Sequence, residues 1–168
     1  GRSHALMADV STVRNDQPGR GRGGFLGRQA RGILQPMTAM AGALDALPKV
    51  ELHCHIEGAM RPSTVVELAR SNGIPLPTED STELYRYDSL NGFLDVFWLV
   101  QSTLCTRADW TRLAYEAVLD SAAHGVLHQE CFFTPARHLV AGQDLADIVA
   151  GLDEGFDVLT AGPDDGAD

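Results

Sequence analysis

The first regular pattern along the chain runs from Lys49 to Ile56, where Val50, Leu52, Cys54 and Ile56 alternate with Glu51, His53, His55 and Glu57. Successive side chains on a strand point to opposite faces, so this alternation predicts a β-strand with an apolar row on one side and both histidines on the other. Gly58 ends the run. Pro62 and Ser63 then open a short helix, for which Asn72-Gly73 is a suitable left-handed stop. Residues 74–88, with Pro75, Pro77 and several acids, read as a loop. A helix from about Ser89 to Cys105 is dense in Leu90, Phe93, Leu94, Phe97, Trp98 and Val100. The next, from about Arg107 to His124, has Thr106 and Asp109 at capping-box spacing, an apolar stripe of Trp110, Leu113, Ala114, Ala117 and Val118, and Gly125 as its stop signal. A strand from Val126 to Phe133 follows and is broken by Pro135. The last element is an amphipathic helix from about Asp144 to Phe156, carrying Leu145, Ile148, Val149 and Leu152.

Strands alternating with helices predict an α/β protein with a parallel sheet and helices packed outside it. Two strands do not complete such a sheet. Each is expected to keep at least one bare ladder of backbone donors and acceptors, which makes the chain read as a piece of a larger sheet or barrel. Residues 1–43 are rich in Gly, Arg, Gln and Ser without either periodicity and are expected to be a disordered leader. Residues 44–157 form the folded part, and residues 158–168 an irregular end.

Charge sharpens this division. The net charge of −10 splits into +4 over residues 1–36 and −14 over the remainder. An acidic body repels phosphate backbones, so no nucleic-acid partner is expected for it. No run approaches the roughly 18 apolar residues of a membrane span, and the expectation is a soluble, cytoplasmic protein. Cys54, Cys105 and Cys131 are odd in number and widely spaced, which predicts buried free thiols rather than a disulfide framework or a structural zinc knot.

The chemistry concentrates at His53 and His55. Two imidazoles at i and i+2 on a strand project together, about 6 to 7 Å apart along the backbone, and are able to share one metal ion. Zinc prefers such nitrogen donors, but a catalytic site needs about three protein ligands and an open position, and only two are in view. A His-x-His pair alone is equally compatible with rings that satisfy backbone carbonyls. Placing both rings inside a barrel, opposite an apolar row, favours coordination, because polar groups buried without partners are costly.

The run from Leu47 to Ala59, with Lys49-Val50-Glu51-Leu52-His53-Cys54-His55-Ile56-Glu57-Gly58 at its centre, resembles the first barrel strand of the adenosine deaminase family. The likeness continues through Phe93-Leu94, Phe97, Leu113-Ala114-Tyr115-Glu116, Gly125-Val126, Glu130, Phe133 and Pro135, covering roughly residues 44–157. It implies a partial (β/α)8 TIM barrel, first strands plus inserted helices, incomplete as given. It also implies a Zn2+ cofactor bound by His53 and His55, and a small-molecule purine partner that loses its amine as ammonia by hydrolysis. By the same resemblance Glu57 contacts the substrate, and Phe93, Leu94 and Phe97 line an apolar gate. Plain core packing for the gate and a solvated turn carboxylate for Glu57 are the alternatives.

Two departures bear on the substrate. Glu57 stands where many adenosine deaminases have Asp, and Phe132 where many have Arg. The stretch His128-Gln129-Glu130-Cys131-Phe132-Phe133-Thr134-Pro135 is more similar to the bacterial adenine deaminase branch. The longer Glu57 carboxylate would intrude on a ribose hydroxyl, which makes free adenine a candidate beside adenosine. The family's third zinc histidine, zinc-binding aspartate, proton-donating glutamate and water-orienting histidine lie in later strands, so no catalytic residue is assigned here and the chain reads as an amino-terminal half. His124 is read as a helix-terminal residue and His138 as a loop residue. His128 and Glu130, lacking a following Cys-x-x-Cys, are read as a strand residue and a structural carboxylate rather than a cytidine deaminase motif. Another metal-dependent amidohydrolase and a catalytically inert fragment are the competing readings.

Overall fold

The computed structural model describes residues 5–9, 44 and 47–160. Its elements are β1 (Ala5–Asp9), β2 (Lys49–His55), a 3-10 turn (Ile56–Ala59), α1 (Pro62–Asn72), α2 (Leu90–Thr103), α3 (Arg107–Ala123), β3 (Val126–Phe132), α4 (Pro135–Val140) and α5 (Leu145–Thr160). The sheet order is β1-β3-β2. β2 and β3 are parallel, and the crossover between them runs through α1, α2 and α3.

Punctuation read from the sequence appears at the helix ends. Gly73 and Gly125 take φ of 68° and 73°, the left-handed conformation that costs glycine least. The Ser89 hydroxyl accepts from the Gly92 N–H at the start of α2. Thr106 and Asp109 form the reciprocal capping box of α3, so two otherwise orphaned N–H groups are satisfied. The α3 stripe is buried throughout, and Ile148 and Leu152 of α5 pack into the same core with Ile56 and Phe133. Among the described residues no helix is long and apolar enough to cross a membrane.

Three differences from the sequence reading have physical causes. The expected disordered leader does not extend over Ala5–Asp9, which pairs antiparallel with β3 from Ala5↔Phe132 to Asp9↔His128. That pairing covers an edge of β3 expected to be bare. The rest of the leader, residues 1–4 and 10–43, lies outside the described residues, as do 161–168 of the expected irregular end. Helix α5 runs through Thr160, past the expected limit at Phe156. The third difference is a bulge, preceded by a register shift between Lys49 and Val50, which are level with Val126 and His128. Glu51 is level with Gln129 and Cys54 with Cys131, so β2 spends one residue more than β3 between them. The single alternation expected over Lys49–Ile56 is thereby interrupted, and Val50 and Leu52 are exposed.

Helices α1 and α3 are held by polar groups as well as by the core. Arg61 makes a fork to Asp120 through Nε at 2.9 Å and Nη2 at 2.6 Å. Arg112 donates to Glu116 at 2.9 Å and to Glu67 at 2.7 Å, while the Thr64 hydroxyl donates to Glu116 at 2.5 Å. Helices α3 and α5 approach more closely still. A Cβ added at Gly151 would lie 2.9 Å from Trp110 Cβ, and one at Gly155 would lie 2.6 Å from Ala114 Cβ and collide with the Thr111 carbonyl.

Glycine in an exposed helix costs about 1 kcal/mol relative to alanine, whereas overpacking a tight contact costs about 1–3 kcal/mol. The collision at Gly155 involves backbone, so the steric cost should prevail. We expect Gly155→Ala to lower unfolding free energy by about 1–2 kcal/mol in urea denaturation; a stabilised variant would show that α3 and α5 do not approach this closely.

Candidate functional site

The carboxyl end of β2 brings His53 and His55 together. Their ring centroids are 5.2 Å apart and the rings stand nearly edge-on at 79°. Both are exposed, and among the described residues no side chain hydrogen-bonds to either ring. The bulge precedes them, and beyond it register is regular, with Cys54 level with Cys131 and His55 level with Phe132. Side chains level across a parallel pair share a face. Hence Phe132 lies beside the histidines, 4.7 Å from the His53 ring and 6.5 Å from that of His55.

The other wall comes from α2. Phe97 stands edge-on to His55 at 6.4 Å, and Phe93 stacks on Phe97 at 5.9 Å. Tyr87 extends this row, 5.3 Å from Phe93. Leu94 is half-buried, one residue on from Phe93 and so turned about 100° around the helix from it. Of the three residues expected to form a gate, Phe97 stands against a histidine and Phe93 stacks on Phe97, while Leu94 lies on the same turns of α2.

Two imidazoles offer the nitrogen donors that zinc prefers, on one face and free of competing hydrogen bonds. Among the described residues no group of three or more His, Cys, Asp or Glu could hold a metal ion. The pair therefore fits part of a zinc site and not the whole of one. Cys54, between the histidines, turns to the opposite face, where its hydrogen bond with Cys131 and then burial push the Cys131 thiol up. Cys131 is buried and Cys54 half-buried as free thiols, but Cys105 is exposed, contrary to the expected burial of all three.

Glu57 belongs to the 3-10 turn and is not a solvated carboxylate. Its relative exposure is 0%. The Thr134 N–H donates to Oε1 at 2.7 Å, Gln101 Nε2 donates to the same atom at 3.2 Å, and His138 Nε2 lies 3.9 Å from it. Glu57 Oε2, Gln101 Oε1 and His138 Nε2 make no hydrogen bond with the protein. Desolvation raises the Glu57 pKa, opposed by the Thr134 N–H and the Gln101 amide. Oε1 is thus engaged by the protein, and Oε2 is the carboxylate oxygen without a protein partner.

His138 corrects the expectation of a loop residue. It lies on α4, is 2% exposed, and packs its ring against Trp110 at 4.7 Å. Gln143 reaches its Nδ1 at 3.4 Å, and burial with the nearby Arg137 charge lowers its pKa to about 4. Gln101, His138 and Gln143 carry no signature in the sequence, since they meet only through packing. His124 does what its position suggested: Nδ1 lies 2.7 Å from the Asp120 carbonyl at the end of α3. His128 and Glu130 sit 3.6 Å apart on β3.

Residues 48–161 match the family model for adenosine deaminase, and the chain belongs to that family. It is 41% identical to an adenine deaminase from Streptomyces coelicolor over 113 residues, covering 66% of this chain and 33% of the relative. Among solved structures, the adenine deaminase from Arthrobacter aurescens superposes with a TM-score of 0.60 at 36% identity, over 66% of this chain and 35% of that one. An amidohydrolase from Burkholderia ambifaria, solved with bound zinc, gives a TM-score of 0.62 at 29% identity, over 88% of this chain and 37% of that one. The chain spans about a third of the length of the curated relatives it matches. Its fold is that of part of a TIM barrel, with a partial parallel sheet.

The buried His138 generates a pH dependence. Its folded pKa of about 4 lies below the ordinary imidazole value of 6.5, so the stability contributed by the neutral ring is complete above 6.5 and is lost as pH falls toward about 4. The shift corresponds to about 3 kcal/mol at most. Comparing urea midpoints of the native chain and His138→Gln from pH 7 to pH 4, we expect the native chain to lose more stability by about 1–3 kcal/mol. Parallel pH profiles would refute burial of this imidazole.

Proposed function

We propose that this chain forms the amino-terminal part of a zinc-dependent purine aminohydrolase that acts on adenine or adenosine. Water replaces the exocyclic amine, which leaves as ammonia. The observation that carries this reading is the His53 and His55 pair, 5.2 Å apart on one face of a strand end in a member of the adenosine deaminase family. Similarity to adenine deaminases from Streptomyces coelicolor and Arthrobacter aurescens supports the purine base as substrate.

In this reading residues 44–157 contribute the first part of the barrel, and His53 and His55 hold the metal through ring nitrogens. When bound, zinc supplies a Lewis acid that brings the pKa of water toward neutrality. Phe93, Leu94 and Phe97 form the apolar wall that excludes bulk water from the purine face. Glu57 binds the purine edge through Oε2, the oxygen without a protein partner. A buried acceptor left unpaired costs about 1–3 kcal/mol, which favours a partner arriving there. Remaining ligands and proton-transfer groups must come from outside the described residues.

The test is the full-length gene product, loaded with zinc and assayed by the absorbance change of adenine and of adenosine. We expect His53→Ala and His55→Ala each to reduce turnover by more than about a hundredfold, beyond the loss that follows removal of a mere outer partner of a ligand. Chelation should abolish turnover and added zinc restore it, and the 168-residue chain alone should show none. Unchanged turnover in His53→Ala would remove the metal role.

A further inference from the structure

We propose that His138 is a positioning residue for Glu57, locked as the Nε2–H tautomer by Gln143, so that donors converge on Glu57 Oε1 and Oε2 is left for the purine. The inference rests on the assignment of Glu57 to the substrate.

The tautomer follows from a chain of groups with fixed hydrogen-bonding roles. The Trp110 indole N–H only donates, and it meets Gln143 Oε1 at 3.0 Å. The Leu104 carbonyl only accepts, and it receives Gln143 Nε2. These two contacts fix which end of the Gln143 amide is nitrogen. That nitrogen also faces His138 Nδ1 at 3.4 Å, so Nδ1 must accept and the ring proton belongs on Nε2. The Trp110 ring, 4.7 Å away at 74°, restrains the imidazole plane.

Nε2 is then a buried N–H without a partner, 3.9 Å from a carboxylate oxygen. Such a distance is too long for a hydrogen bond, and contacts of this kind tighten when a ligand engages the acceptor. The approach is built into α4. Thr134, directly before this helix, already donates its N–H to the same Glu57 oxygen at 2.7 Å, and His138 comes round from one turn further along. Gln101 Nε2 adds a third donor from α2 at 3.2 Å. Three donors around Oε1 leave the carboxylate one orientation and direct further hydrogen bonding to Oε2.

The groups near His138 support a neutral ring. The charge facing it from its own helix is Arg137, and the group facing it from the 3-10 turn is Glu57; Gln143, Trp110 and Gln101 are neutral. Burial lowers its pKa to about 4, so the ring stays uncharged over the range in which enzymes of this kind would work.

Two measurements decide the matter. In the first, the complete 168-residue chain is labelled with 15N at histidine, and long-range proton–nitrogen correlations report which ring nitrogen is protonated. We expect the Nε2–H form for His138 at neutral pH, converted to Nδ1–H by Gln143→Glu, whose carboxylate places an acceptor at Nδ1. An Nδ1–H form in the native chain, or no conversion in the variant, overturns the lock. In the second, the full-length gene product is assayed with adenine. His138→Phe keeps a packed ring but no donor, and should raise KM about tenfold, the worth of one hydrogen bond, with kcat little changed. His138→Gln restores a donor and should recover most of the native KM. Equal KM in the native protein and His138→Phe, with native folding in both, overturns the positioning role. If the native protein turns over no purine, the functional reading fails and the ligand half of this inference falls with it, while the nitrogen spectra still decide the tautomer.

Discussion

A carboxylate with no solvent exposure has to be held by donors that the fold delivers, and Glu57 is held by groups far away in sequence. The Thr134 N–H that reaches it comes from the end of β3, and the Gln101 amide from the last turns of α2. This convergence ties the exits of the two parallel strands together where His53 and His55 emerge. Loss of one partner would leave a buried charged group underbonded, at a cost well above the net gain of an ordinary hydrogen bond. The bulge between Glu51 and Cys54 sits below the tie, and regular register returns above it. The histidine face therefore depends on how the strand ends are joined as well as on alternation along β2.

The helical layer gives that joint a rigid support. Helix α3 packs on β3 and on α5, with Trp110 at the meeting point of both jobs: its ring touches Phe133 at 6.0 Å and its N–H fixes Gln143. Two glycines allow α5 to lie close against α3. The Arg61, Arg112, Glu116 and Asp120 network, bridging α1 and α3, adds specificity of packing more than stability, because half-exposed ion pairs contribute little net energy.

What the sequence reveals and what it hides divide along a physical line. Caps, left-handed glycines and the α3 stripe depend on residues within a turn or two of one another, and these were legible. The projection of His53 and His55 to one side was legible too, because only two residues separate them. The bulge was not, since it depends on the register of a partner strand about 75 residues on. Pairing of Ala5–Asp9 with β3 is likewise a nonlocal match, and its short segment has no distinctive periodicity. Helix α4 has six residues, too few for an amphipathic pattern, so His138 read as part of a loop. Burial of Glu57 was invisible for the same reason: its neighbours arrive from positions 101, 134 and 138.

Arg137 and His138 show how the fold sorts adjacent basic residues. Placing the guanidinium beside Glu57 would have neutralised the carboxylate in a strong, bidentate pair and fixed both oxygens. Instead the Arg137 guanidinium lies over the Trp98 ring at 4.8 Å, and the uncharged imidazole faces Glu57. Neutral donors hold the carboxylate more weakly than a cation would and leave one oxygen unpaired. Burial without a counter-charge, softened by the Thr134 N–H and the Gln101 amide, raises the Glu57 pKa. A group held in that balance retains the capacity to respond to a ligand, whereas a saturated ion pair in the same place would serve only to join the strand ends.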